Sequence, residues 1–441
     1  MTSANSENSS ISLLPVSSGN NTGGGHKVLF GICTIILIIA FMNTGLRSDM
    51  HASVSLFRLL ALLFVPFLLL RYITLFTKEI LLLTGILCLS LLQCAIFSFT
   101  TFTAVVTYFI HLLCIFALYI CIKIRFSLDR ENFAVNMFRF LDKFTVFTIA
   151  ITLVEYIFSI SIFPATQVRA CPTAFFWNEN ELGCALMGMI PFYLMYWRST
   201  GKYTYLLKSL IILYFFYAFD CKILILSSML AILLFLVLLR EKIMKQHKKL
   251  AVCSLFIAGI GILLFLYVDF TIPTGVAGEN KITFGNVVRA PVLQLLRLER
   301  YNMAGSIYDR TDAIIIGLQH LIKTGGIGIG LGGAYNILDG ELETARSMHN
   351  IFVQTLVELG VIFLVVYILY LFRLYFNTSI LNWFKWCFFL LLPLSSSISS
   401  GGILSNYMFW GIVIYAFLLN KVPWETHTPE TLETAKETVS A

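Results

Sequence analysis

Arg310 and His349 are the residues through which this chain could do chemistry. Arg310 opens a short amphipathic segment. His349 and Asn350 open a long apolar run, and a glycine cluster (Gly325, Gly326, Gly328, Gly330, Gly332, Gly333) lies between. A guanidinium offers planar donors that engage two oxygens of a phosphate at once, and an imidazole exchanges protons near neutral pH. Glycines admit positive φ and let backbone approach a ligand closely. Together these are the means to handle an anionic leaving group and a hydroxyl nucleophile. Each also has a plainer reading. Arg310 can be a snorkelling anchor, and His349 a polar helix-end residue beside Asn350, which can cap that helix in either case. The glycines can be a flexible hinge. No strand–helix context surrounds them, so they are not a dinucleotide fingerprint. A helix start disfavours cations and suits Asp309 and Asp312, so an arginine there argues for an external anion.

Further candidates stand near the same chemistry. Lys222 opens the run KILILSSMLAILLFLVLL, where it either snorkels, pairs with Asp220 or meets an anion. Arg169 adds a cation to a polar stretch in which Trp177 and Phe176 offer faces for a sugar ring. Glu155 and Glu358 fall inside apolar runs, where ionisable groups are costly and face a partner or cavity. Glu358 is nine residues past His349, on the opposite face of a helix. Glu358 is read as making a structural hydrogen bond to another helix. His111 and His320 have no comparable company and read as structural.

The elements that must position these residues are membrane helices. Hydrophobic residues make up 58 % of the 441, charged residues 12 %, and mean hydropathy is +0.84, whereas a soluble domain is about a quarter charged. Runs long enough to cross a bilayer fall at 28–45, 53–72, 79–98, 102–122, 144–163, 183–198, 203–219, 222–239, 250–269, 351–372, 381–398 and 402–420. The expected fold is therefore an all-α polytopic membrane protein of about twelve helices. Residues 1–26 form a disordered cytoplasmic tail, 27–269 the first nine spans, 270–350 a large outer loop, 351–420 the last three spans and 421–441 a second cytoplasmic tail. Lysine and arginine crowd alternate connections, from Arg71 and Lys78 to Lys421, which places both termini inside. The net charge of +7 thus serves topology and does not imply nucleic acid. The ten cysteines show no metal spacing. Within the outer loop, Val287–Tyr301 and Arg310–Lys323 have helical apolar spacing and suit interfacial helices, the second with Ile314, Ile315, Leu318, Leu321 and Ile322 on one face.

Three stretches carry a resemblance. His349–Gly360 reads HNIFVQTLVELG, Arg310 precedes a helical segment and Gly328-Ile329-Gly330, and Trp177–Gly183 reads WNENELG. Together they resemble the O-antigen polymerase and O-antigen ligase superfamily of bacterial envelope glycan enzymes. The resemblance implies a type-C-like glycosyltransferase fold in the inner membrane. The active site would be periplasmic, and neither metal nor other cofactor would be used. It implies a donor glycan on undecaprenyl diphosphate and, as acceptor, either another lipid-linked glycan or lipid A-core. The chain-length regulator and flippase of the same pathway, and membrane lipid, would be its partners. On it His349 corresponds to the base and Arg310 to one diphosphate-holding residue. Lys222 stands where the family has a second arginine and loses its bidentate fork, so Arg169 or Arg289 could share that contact. Trp177 and Asn180 fall to the glycan. The expected activity is polymerisation of a lipid-linked repeat unit. Ligation to lipid A-core is the alternative, since the acceptor cannot be read. A lipid-linked glycan flippase or transporter is the remoter one, since it would need charges along a path and an internal repeat.

Overall fold

The structure is a computed structural model that describes residues 23–43, 55–130, 132–163, 172–176, 179–200, 202–218, 271–272, 282–283, 306–341, 348, 350–366, 369 and 406–419. Its described elements are helices α1 (Gly23–Phe41), α2 (Leu56–Phe97), α3 (Phe102–Leu128), α4 (Phe133–Phe158), α5 (Glu179–Met187), α6 (Ile190–Thr200) and α7 (Tyr203–Ala218), then α8 (Ser306–Lys323), α9 (Gly333–Glu341), α10 (Ile351–Leu359) and α11 (Tyr407–Leu419). One small exception to the helical expectation lies in the long loop. Strands β1 (Thr271–Ile272) and β2 (Ile282–Thr283) pair antiparallel, Thr271 opposite Thr283. The expected runs 222–239, 250–269 and 381–398, the segment Val287–Tyr301 and the tail 421–441 lie outside the described residues. So does residues 1–22 of the first tail; its last residues, from Gly23, already belong to α1.

α2 and α3 decide the layout. Ser55 caps α2 by accepting from Arg58 N, and Thr101 caps α3 by accepting from Ala104 N. Ser98, in the left-handed region (φ 57°), closes α2. Inside α2, Tyr72 has non-helical angles. Beyond it Lys123 of α3 donates to Leu75 O and pairs with Glu79. Before it Arg58 Nη2 lies 3.2 Å from His111 Nε2. His111 and Lys123 are roughly 18 Å apart along α3. A straight α2 would carry Arg58 away from α3 instead, so the chain doubles back at Tyr72. The runs 53–72 and 79–98 are thus two legs folded against α3.

Tyr72–Phe97 and Phe102–Leu128 are long and apolar enough to cross a membrane. Only 11 % of the most apolar window of the first is buried, which is not how the core helix of a soluble protein behaves. Leu63, Phe67, Leu81 and Leu82 on α2 and Ile362, Val366 and Leu369 after α10 face outward. In water each such side chain would forfeit about 1.5–3 kcal/mol of burial.

The buried residues form two clusters. The larger joins α1 to α7 and α11, with Phe57 against Tyr407 (ring centroids 4.6 Å) and Tyr415 Oη donating to Ala134 O. The expected span 183–198 is broken within it. α5 stops at Met187 and α6 starts at Ile190, the step between them tightening to a bond from Met189 N to Leu186 O (3.0 Å) just before Pro191, which has no N–H to continue the helix. The smaller cluster comprises Ala313, Ile329, Ala334, Ile337, Leu338, Met348 and Val357, and leans on Phe99 at the α2–α3 turn. It carries the candidate site.

Candidate functional site

α8 ends where the glycines begin. Gly325, at φ 63°, and Gly326 turn the chain so that Gly325 N donates to Ile322 O and Gly326 N to Leu321 O, the paired bonds of a Schellman cap. The face that α8 buries is not the isoleucine face expected from spacing. Ala313, Gly317, His320 and Leu321 point inward, while Ile315, Leu318 and Ile322, the last 76 % exposed, point out. Small residues decide this. A Cβ on Gly317 would overlap the flexible end of Met348 and sit 3.3 Å from Val357 Cγ2, so glycine lets α10 and its approach lie this close without moving the methionine.

Much of the glycine run forms a seam against the chain's own backbone and neighbouring side chains. Ile329 N donates to Val357 O (3.0 Å), Gly330 N to Glu358 O (3.0 Å) and Val361 N to Gly326 O (2.8 Å). A Cβ at Gly328 would stand 2.5 Å from Glu358 O and 2.6 Å from Gly360 N, and one at Gly360 would collide with Ile327 O. Gly326, Gly328, Gly330, Gly332 and Gly360 all have positive φ. This seam cuts the expected run 351–372. α10 stops at Leu359, Gly360 breaks it, and a new helical stretch covers 361–366.

Two side chains, one from the end of α2 and one from the α2–α3 turn, stitch the seam. Gln93 Nε2 donates to Ile327 O (2.8 Å) and Glu358 O (3.2 Å), and Thr100 Oγ1 donates to Leu331 O (2.8 Å). Beneath them Gln354 Nε2 donates to Glu358 Oε1 (3.1 Å) and lies 3.5 Å from Tyr108 Oη. The N–H groups of Gly332 and Ala334 lie next to the same carboxylate. The partners of Glu358 are therefore its own helix, the glycine turn at Gly332 and the first turn of α9 at Ala334, so a bond to another helix is present, as expected, beside a local one. Glu155 faces a partner, as expected of an ionisable group in an apolar run. It accepts from the loop amides of Ile162 (2.9 Å), Thr173 (3.1 Å) and Ala174 (2.7 Å).

At the start of α10, Asn350 is the N-cap, its Oδ1 accepting from Val353 N at 3.0 Å. Met348, wholly buried, anchors the approach on α8. His349 between them lies outside the described residues. Arg310 belongs to α8, two turns before Gly317 in nearly the same register and about 10 Å along the axis; its side chain is outside the described residues. The helix bearing Arg310 and the step bearing His349 are thus brought together. Asn180 sits half-buried in the first turn of α5, which packs on α6, α7 and α11 in the larger cluster. Phe176 is buried against Phe175 (4.8 Å), so its ring offers no face to a sugar. Lys222, Arg169, Arg289 and Trp177 lie outside the described residues. Sequence reasoning passed over Gln93, Thr100, Tyr108 and Gln354. The one available signal was an isolated amide, Gln93, in the apolar stretch LLQCAIF.

No protein-family model matches this chain, and no curated protein matches it either.

Proposed function

We propose that this chain is a polytopic inner-membrane glycosyltransferase, a polymerase of O-antigen or a related surface polysaccharide. The observation that carries the reading is the docking of the Met348–Asn350 step on α8 at Gly317, in the register of Arg310. Outward-facing apolar side chains on α2 and over 361–369 support placing the chain in a bilayer. Backbone that leaves helical geometry at membrane depth is tolerated only where protein buries it or a cavity wets it, and the seam at Gly360 meets the first condition. Twelve spans with both termini cytoplasmic put the α2–α3 turn, and with it α8–α10, on the periplasmic side.

In this reading a polyprenyl-diphosphate-linked glycan is the donor. His349 takes the proton of an acceptor hydroxyl. The acceptor oxygen bonds to the anomeric carbon as the bond from that carbon to the diphosphate oxygen breaks. Arg310 and Lys222, with Arg169 or Arg289, take up the charge of the departing polyprenyl diphosphate. Trp177 and Asn180 hold the glycan. No metal is needed, because the cations neutralise the leaving group.

Deletion of the gene followed by electrophoresis of lipopolysaccharide tests the reading. Core bearing a single repeat is the expected result. Core alone, with polymer retained on carrier lipid, would replace polymerase by ligase, and an unaltered ladder would overturn both.

A further inference from the structure

We infer that Gln93 is a positioning residue of the candidate site, a role that rests on the transferase reading: its amide ties the exit of α8 to the end of α10 and so sets the spacing between the Arg310 helix and the His349 step. Between the helices themselves α8 and α10 meet through Met348 and Val357 on Gly317, an apolar contact, and beyond their ends the backbone bonds of the seam join Ile329 to Val357, Gly330 to Glu358 and Val361 to Gly326. Gln93 adds the side-chain tie that holds this seam to α2. A carboxamide has two N–H donors on one nitrogen, and Nε2 meets two carbonyls, Ile327 O from the exit of α8 and Glu358 O from the last turn of α10. Both carbonyls stand beside the positive-φ glycines 326, 328 and 360, where the helices have ended or are ending. Gln93 is 1 % exposed, and its Cβ packs 3.4 Å from the Cβ position of Gly330, so the side chain is threaded through the seam. Its Oε1 accepts nothing among the described residues. The donors are therefore what the glutamine contributes, and a leucine of similar bulk would pack but not tie. Thr100 makes a second stitch at Leu331 O, which keeps the turn docked when Gln93 is altered.

Two variants of the full-length chain in nanodiscs separate this role from plain packing. Gln93→Met keeps the length and removes the donor, while Gln93→His keeps an N–H at the ε position. Spin labels at Ile322→Cys on α8 and Ile362→Cys beyond the Gly360 break read the spacing without reference to activity. With Gln93→Met the distance distribution broadens, and turnover per folded molecule on polyprenyl-diphosphate-linked repeat units falls about 100-fold. KM moves by less than about threefold. Gln93→His returns both distance and turnover toward wild type. A Gln93→Met protein of reduced yield, but with unchanged distance and unchanged turnover, would make Gln93 an ordinary packing residue. Should the wild-type protein transfer no glycan, the transferase reading falls by itself. The distance arm then still decides the tie: broadening upholds it and an unchanged distribution overturns it.

Discussion

If the chain is the proposed transferase, loss of His349 and loss of Arg310 should fail in different ways. A base acts on the acceptor hydroxyl only in the transition state, so His349→Ala falls on turnover, by roughly 10²–10⁴-fold, and spares carrier-lipid binding. The diphosphate is charged before and during transfer, so Arg310→Ala weakens both. Arg310→Lys recovers only part, because a point charge cannot reproduce the fork. For the same reason Lys222→Arg is tolerated or improves the enzyme. Purified variants assayed for turnover and for carrier-lipid binding check all four, and a normal glycan ladder in His349→Ala would return the histidine to a helix-end role. At this scale the sequence was legible where the chemistry is local. Asn350 was readable as a cap because its bond reaches only three residues, to Val353. The partners of Glu155 were not readable, because the amides of Thr173 and Ala174 reach it across a loop whose path no local pattern records.

The seam makes the glycines unequal, which is a stability prediction. Gly325 has positive φ but open space around it, so Gly325→Ala should cost only the left-handed strain, about 1–2 kcal/mol. Gly360→Ala carries strain of about 1–3 kcal/mol and also drives a methyl into Ile327 O, so it should lower the melting temperature further and shrink the yield of folded protein. Equal shifts for the two in thermal unfolding of the purified protein would mean that the seam does not close. Spacing alone gave the existence of α8 but the wrong inward face. An apolar stripe on an interfacial helix can face either the protein or a membrane surface, so the periodicity of Ile315, Leu318 and Ile322 marks a helix without saying which side it buries. Gly317 says it, through the room it leaves for Met348. Likewise a lone Gly360 in an apolar run is an ambiguous sign. It becomes a break only because Gly326 O is there to take Val361 N.

Taken whole, the molecule hangs α8, α9 and α10 on one end of the α2–α3 pair, so on the proposed membrane reading a single orientation sets the side on which they lie. A cysteine placed at Ser306, in a background lacking the others, should react with a membrane-impermeant maleimide in intact cells with a permeabilised outer membrane. Labelling only after lysis would reverse the topology and the mechanism with it. The long loop was recognisable as exceptional by its length and by the neutral mixture of its charges. Its attachment point was not, because it depends on pairs such as Thr100 with Leu331, 231 positions apart. That separation bears on how the protein is made. The bond from Gln93 to Ile327 spans 234 positions, so at about 5–20 residues per second the carboxamide waits roughly ten to fifty seconds after synthesis for its acceptor to be made. During that interval α2 sits in the nascent chain with an unmatched amide, and any chain cut short before residue 327 keeps it permanently. Truncated products should therefore be held by membrane-insertion chaperones or degraded, while the complete chain escapes once its last third arrives.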